Sequence, residues 1–369
     1  DEIKNSHWRD NYNPKYVEVN FSNTCNFKCA YCGPTYSSKW MEEINTYGPY
    51  ELSYDYNGVK EMEMNGTKPF KFSEENPYVN AFWDWWPELY NSLDTFRITG
   101  GEPSQSHNFW DFMELVKQYD SPNLRVAINS NLGLYEETVK RLVDITHQVQ
   151  VKEFDIYTSN ESYGKHAEYI RDGLNYEVWR KNLVNVIENA NIRQIVIMMT
   201  INSLCLFSIV EFFEDMKELK AKYGAHRPNM DLNILRWPSF MSPLMLPDDV
   251  KIKLRAKLQK WFEENKDSNL FSTNEKAQIQ RLIDYIEVVN RGHNTTELDK
   301  ELQYHDFKSF YMQYDIRRNK NFQETFPELA DWYDSILVDQ SIPDVNMTDG
   351  RITHYEPGVY VSDKDNYNK

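Results

Sequence analysis

Three cysteines fall inside eight residues, Cys25-Asn26-Phe27-Lys28-Cys29-Ala30-Tyr31-Cys32, and the 369-residue chain holds only one more, Cys205. A C-x3-C-x2-C run can place three thiolates on three corners of a [4Fe–4S] cube and leave the fourth iron without a protein ligand. In a ferredoxin a fourth cysteine closes the cluster, and the protein only moves electrons. An open iron can instead bind and reduce a small molecule. Structural zinc is the competing reading, but it prefers four Cys or His ligands in paired spacing. No second pair follows, and His7 and His107 stand alone. A disulfide fits poorly, because three clustered thiols cannot all pair and an acidic chain without a visible signal peptide reads as cytosolic.

About seventy residues later comes Phe96-Arg97-Ile98-Thr99-Gly100-Gly101-Glu102-Pro103. A short apolar strand runs into two glycines, a carboxylate and a proline. Glycine allows close backbone approach to a ligand, proline stops the strand, and Glu102 offers an acceptor for a ligand ammonium group. Taken alone, such a stretch reads equally as an ordinary strand-to-helix turn.

With both motifs present, the chain resembles the radical S-adenosylmethionine (SAM) superfamily. The resemblance implies that Cys25, Cys29 and Cys32 hold one [4Fe–4S] cluster whose open iron chelates the amino and carboxylate groups of SAM. It implies that Tyr31 contacts the adenine and that Gly100, Gly101, Glu102 and Pro103 form the turn receiving the methionine amino group. One electron then cleaves SAM to methionine and a 5′-deoxyadenosyl radical, which abstracts hydrogen from a substrate. A reductant such as flavodoxin or ferredoxin would supply that electron. The substrate, a peptide or small metabolite, is not legible.

Short β-branched runs alternate with helical periodicity, the signature of βα units and a parallel sheet. The expected strands are Tyr16–Phe21, Thr95–Thr99, Leu124–Ser130, Glu153–Thr158, Gln194–Ile201 and Asp231–Leu235. Apolar stripes such as Phe109, Phe112, Met113 and Val116, or Trp179, Leu183, Val186 and Ile187, mark helices and core between them. The fold class is α/β: an incomplete (β/α)6 TIM-like barrel with a C-terminal helical extension. Ligands of such barrels gather at the C-terminal strand ends, where both motifs fall. Asn129, Ser130 and Asn131 end the third strand with small polar groups suited to ribose hydroxyls, or simply to a turn. By the same resemblance Ser159, ending the fourth strand, lies near the ribose. Arg171 lies near the SAM carboxylate, and the Leu235 backbone lies by the adenine.

The expected organisation is a core barrel over 1–240, a helical extension over 241–343 and a loosely ordered tail over 344–369. An aperiodic insertion over 40–79, rich in tyrosine and phenylalanine, is long enough to be a lid over the site or a solvated loop. In the extension, Val250, Leu254, Leu258, Trp261 and Phe262 form one stripe, and Ile279, Leu282, Ile283 and Ile286 another; a third helix is expected from Pro327 to Leu337. Members of the SPASM and twitch branch carry auxiliary clusters here on extra cysteines. This chain resembles that branch without those cysteines. Cys205 could serve as a hydrogen-atom donor or as a small buried apolar residue, and Asp315 as a base or in an exposed ion pair.

Lys plus Arg is 41 against 57 for Asp plus Glu, a net charge of −16. Such a balance disfavours general nucleic-acid binding. No apolar run approaches the length needed to span a bilayer, so a cytoplasmic location is expected. Two other classes stay open at this point, a non-catalytic iron–sulfur electron or cluster carrier and a zinc-stabilised binding module. Neither needs a site for the SAM amino group.

Overall fold

The computed structural model describes residues 7, 12–53, 58–70, 74–287 and 297–338. Its strands are β1 (Tyr16–Asn20), β2 (Lys28–Cys29), β3 (Thr95–Thr99), β4 (Ser121–Ser130), β5 (Val151–Ser159), β6 (Arg171–Asp172), β7 (Gln194–Ile201) and β8 (Asn229–Ile234). The first helices are α1 (Ser38–Tyr47), α2 (Val59–Met64), α3 (Pro77–Leu89), α4 (His107–Gln118) and α5 (Glu136–Gln148). There follow α6 (Gly164–Ile170), α7 (Tyr176–Asn189), α8 (Ile209–Tyr223), α9 (Asp248–Asn265) and α10 (Thr273–Glu287). The last are α11 (Glu297–Arg318), α12 (Phe322–Thr325) and α13 (Ala330–Ser335).

The six longer strands form one sheet in the order β1-β3-β4-β5-β7-β8, parallel throughout. β1 and β8 do not pair, so the sheet curves without closing. Alternation along each strand fixes its two faces. Phe96, Ile98, Val126, Ile128, Ile195 and Ile197 are fully buried beneath the helices. On the opposite face Ala127 and Val196 are buried too, but Arg97, Asn129 and Tyr157 are polar and half-buried. A closed eight-stranded barrel packs its interior with branched apolar side chains. Six strands leave the interior accessible, and Arg97 occupies it, donating to Asn129 Oδ1 at 2.9 Å and lying over the Tyr157 ring.

The insertion over 40–79 is not aperiodic. It contains most of α1, all of α2 and the start of α3. Ser37 caps α1, its hydroxyl accepting from the Trp40 N–H, and Asn76 caps α3 with Pro77 in its first turn, both favourable starts. Only Trp40, Glu43 and Ile44 are buried in α1. A carboxylate inside the buried stripe masks the helical period. Tyr50 stacks on Phe310 of α11 at 4.5 Å, and Ser53 donates to Asp306, so residues 48–53 are docked against the extension. Tyr54, Tyr56 and Phe72 lie outside the described residues, as does the tail over 344–369.

In the extension, α9 and α10 match their stripes. The long α11 carries Phe307, Phe310, Tyr311 and Tyr314 inward, spaced three and four apart but interleaved with Lys308, Ser309 and Gln313. The helix expected over 327–337 is a 3-10 turn followed by the short α13. No described helix is long and apolar enough to cross a membrane.

Candidate active site

The cysteine run leaves β1 at the C-terminal edge of the sheet and is fastened on three sides. β2 and β6 form a two-residue antiparallel ladder that sets Cys29 opposite Arg171 and Lys28 opposite Asp172. Ala30 N–H donates to the Ile170 carbonyl at 2.7 Å. The Trp40 indole donates to the Cys29 carbonyl at 2.9 Å, and the Ser37 hydroxyl to the Phe27 carbonyl at 2.7 Å. On the third side the Gly100–Pro103 turn is zipped to the loop. Gly101 N–H bonds the Ser22 carbonyl at 3.3 Å, and Glu102 N–H bonds Thr24 at 2.7 Å. A Cβ on Gly101 would land on the Thr24 carbonyl, and one on Gly100, whose φ is +119°, on the Asn20 side chain. Both glycines are required by this contact.

The three thiols are partly exposed and unpaired. Burial pushes the Cys25 thiol upward, and neighbouring Cys29, Glu102 and Cys32 add to it. Burial also raises Cys29, against the pull of Arg171, and takes Cys32 up to about 12. Each thiol therefore ionises only with a cation to compensate it, which suits a thiolate-bound metal cluster. Donors wait at two sulfurs. Phe27 N–H lies 3.4 Å and Asn131 Nδ2 3.9 Å from Cys25 Sγ, while Arg171 Nη1 lies 3.6 Å from Cys29 Sγ. Among the described residues no three His, Cys, Asp or Glu side chains converge on a single ion. A cube asks for no such convergence, since each thiolate takes a different iron. The donor set fits the cluster.

Glu102 is turned inward and 1 % exposed. Its carboxylate accepts from Ser104 N–H at 3.2 Å, the Ser104 hydroxyl at 2.7 Å, the Ser130 hydroxyl at 3.0 Å and Asn131 N–H at 2.7 Å. Burial raises its carboxyl, and those four donors counter that effect. Pro103 opens a 3-10 turn behind it. Ser130 and Asn131 thus join β4 to the glycine turn, and Asn131 also reaches Asn26 Oδ1 at 2.8 Å. Asn129 is held by Arg97. Ser159 sits half-buried at the end of β5, and Leu235 N–H continues the sheet by bonding the Ile201 carbonyl at 2.8 Å. Three buried polar side-chain atoms have no partner among the described residues: Asn160 Nδ2 after β5, Ser203 Oγ after β7 and Ser106 Oγ ahead of α4. Orphaned donors at strand ends fit a polar ligand or water there.

Sequence reasoning passed over Glu161. It is fully buried two residues beyond β5 and receives three bonds. Tyr31 OH donates to Oε1 at 3.0 Å, and Arg171 donates to Oε2 through Nε at 3.0 Å and Nη2 at 2.5 Å. Arg171 itself is 4 % exposed. Burial raises the Glu161 carboxyl, with Arg171 and Tyr31 opposing. One carboxylate therefore ties together the aromatic of the cysteine run and the arginine opposite Cys29. The available signal was an acidic residue closing an apolar strand, ten positions before an arginine.

With this geometry in hand, comparison with known proteins is decisive at the family level. The model of the radical SAM superfamily matches residues 19–215, more than half of the chain. The chain belongs to the radical SAM superfamily. The GTP 3′,8-cyclases of Sulfurovum sp. and Sulfurimonas denitrificans are each 23 % identical to it over 129 residues, 35 % of this chain and 30 % and 31 % of theirs. The match thus spans under a third of those curated relatives' length. Among solved structures, SuiB of Streptococcus suis bound to S-adenosylmethionine aligns with TM-score 0.42 and 11 % identity, over 70 % of this chain and 50 % of that one. The protein anSMEcpe with bound AdoMet aligns with TM-score 0.40 and 14 % identity, over 69 % and 62 %.

Within this radical SAM chain, Cys205 is fully buried just past β7. Its thiol donates to the Asn202 carbonyl at 3.1 Å and accepts from Asn202 N–H at 3.3 Å. Asp315 is also engaged, accepting from Tyr169 OH and Phe322 N–H, each at 2.7 Å.

Proposed function

We propose that the protein is a radical SAM enzyme in which Cys25, Cys29 and Cys32 hold one [4Fe–4S] cluster and SAM lies between it, the Gly100–Pro103 turn and the ends of β4, β5 and β8. When bound, that pair supplies one-electron cleavage of SAM to methionine and a 5′-deoxyadenosyl radical that takes hydrogen from substrate. The chain's own part is positional. Arg171 has two nitrogens on Glu161 and one toward Cys29, so it steadies the cysteine run. Glu102 fixes the glycine turn through Ser130 and Asn131, leaving the Gly100 and Gly101 backbone to face the methionine amino group. Asn129, Ser130, Asn131 and Ser159 offer polar groups to the ribose, while Tyr31 and the Leu235 backbone flank the adenine.

The reading rests on one observation: the glycine turn is hydrogen-bonded to Ser22 and Thr24, immediately ahead of Cys25, at the C-terminal edge of an open parallel sheet. Thr67, Pro69, Phe70 and Glu74–Asn76 wall a cleft of about 410 Å³ beside this loop, with Ser22, Asn23 and Ser106–Asn108 opposite. We assign them the part of a lid, and α9–α13 the place a twitch-type extension takes, without a second cluster. The substrate is a peptide or small metabolite, and flavodoxin or ferredoxin the reductant. The test is anaerobic reconstitution followed by SAM and dithionite. About four irons per chain and accumulation of 5′-deoxyadenosine are expected. Stoichiometric zinc without iron, or a reducible cluster that leaves SAM intact, would overturn it.

A further inference from the structure

β8 is an outer strand of the sheet, and its free edge is treated unevenly. Because Leu235 N–H bonds the Ile201 carbonyl, the odd residues of β8 pair with β7. Met230, Leu232 and Ile234 then turn their N–H and C=O groups outward. Helix α10 runs along that edge and satisfies the first two rungs with side chains three residues apart. Glu275 Oε1 accepts from Met230 N–H at 2.9 Å, and Gln278 Oε1 from Leu232 N–H at 2.9 Å. Arg281 Nη2 donates to the Leu232 carbonyl at 2.7 Å. There the substitution stops. No hydrogen bond among the described residues reaches the outward rung at Ile234, and a cleft of about 520 Å³ opens beside it, lined by Asn233, Ile234, Arg236, Arg281, Asp284 and Tyr285.

The charge of this cleft runs against that of the chain. In a protein of net charge −16, neither Arg236 nor Arg281 has a carboxylate within ion-pair distance among the described residues. The one acid in the lining, Asp284, has Oδ1 held by Gln280 Nε2 at 2.8 Å. The cleft therefore offers, among the described residues, an unpaired backbone rung and two guanidinium groups at the same strand end. An extended peptide satisfies a free rung by adding a strand, with side chains supplying specificity. Arginine matches a carboxylate with parallel N–H donors.

We propose that this cleft docks an extended peptide segment on the free end of β8, with an acidic side chain or terminal carboxylate of that peptide on Arg236 and Arg281. The site narrows the substrate class proposed above to carboxylate-bearing peptides, and it rests on that reading only for calling the peptide a substrate. Fluorescein-labelled hexapeptides of Val and Thr, carrying Glu or Gln at the fourth position, are the probes, with binding followed by anisotropy on the reconstituted protein. The Glu peptide should bind about tenfold more tightly than the Gln peptide, the effect of one charge-assisted contact. Arg236→Ser, at an exposed residue with no described partner, and Arg281→Gln should each erase that preference, and N-methylating one backbone amide of the Glu peptide should weaken it. Equal binding of both peptides, or an unchanged preference in Arg236→Ser, would overturn the proposal. Displacement by free glutarate as effective as by unlabelled Glu peptide would overturn the strand-addition part. 5′-Deoxyadenosine formation is measured on the same samples. Its absence from the parent protein would overturn the enzyme reading while leaving the peptide site standing.

Discussion

Arg171 Nη1 lies 3.6 Å from the Cys29 sulfur while the rest of its guanidinium is held by Glu161. Hydrogen bonds to ligand sulfurs set the reduction potential of an iron–sulfur cluster. Arg171→Met removes both the donor and a positive charge, so the potential should fall. It also strands a buried carboxylate, at a cost of about 3–5 kcal/mol. Arg171→Met combined with Glu161→Met restores neutrality and should recover most of the stability, yet keep part of the lowered potential. An EPR-monitored redox titration beside thermal melts reads both. A double variant with the parent's potential would show that Arg171 supports the fold and does not tune the sulfur.

Gly101 has no room for a side chain against the Thr24 carbonyl. Gly101→Ala must push the glycine turn off the cysteine run, so retained iron and SAM binding should fall together. Glu102→Ala acts differently, leaving Ser130, Ser104 and Asn131 without their shared acceptor. A loss of about 1–3 kcal/mol is expected from the buried Asn131 N–H alone, with iron still bound. Iron assays and chemical denaturation separate the two. If Gly101→Ala keeps full iron and SAM affinity, the contact between the motifs is incidental.

All six expected strands appear in one sheet because β-branched and aromatic residues alternate with polar ones along most of them, as in Val17-Glu18-Val19 and Phe96-Arg97-Ile98, which marks one face for the helices. The start of β4 was missed at Ser121–Asn123, where Pro122 signals a turn and the pairing with β5 is irregular. The superfamily was equally legible, since its two motifs are recognised by residue type and spacing. What escaped was tertiary. The β2–β6 ladder is two residues long on each side and has no local propensity to announce it. Glu161 looks like a surface acid until Arg171 and Tyr31 are folded onto it. Helix α1 hides its period behind Glu43, an inward carboxylate that makes sense only once Arg318 arrives from far along the chain.

Cys205 is enclosed, its sulfur bonded in both directions to the Asn202 backbone, and burial raises its thiol well above the ordinary range. Such a thiol is a poor nucleophile. In the folded reconstituted protein, iodoacetamide should leave it unmodified over hours while labelling the denatured chain. Cys205→Ala should retain all the iron and cost about 1–2 kcal/mol, the loss of a small buried group and its hydrogen bonds. Rapid labelling in the folded state would put the thiol back in the open site as a hydrogen donor.

The helical extension is a clamp on the cysteine run. Arg318, at the end of α11, donates to Glu43 through Nε at 3.0 Å and Nη2 at 3.2 Å and reaches the Lys28 carbonyl next to Cys29. It lies over the Trp40 and Tyr314 rings at 4.4 and 4.0 Å. Burial pushes the Glu43 carboxyl up, but Arg318, Lys28 and Tyr50 outweigh it and hold the group below its usual range. A carboxyl depressed in the folded state adds stability that is complete above its unfolded value, about 4.3, and is lost as pH falls through the folded value. Stability should therefore drop below about pH 4 in the parent, and Glu43→Gln should flatten that acid limb. Arg318→Met should do more. With Glu43 left to Lys28 and Tyr50 alone and the Lys28 carbonyl released, hydrogen exchange at residues 28–32 should quicken and iron be lost more readily to chelators, although every cysteine is intact. Unchanged exchange across the cysteine run in Arg318→Met would mean that the core holds its own loop, and that the extension merely packs beside it.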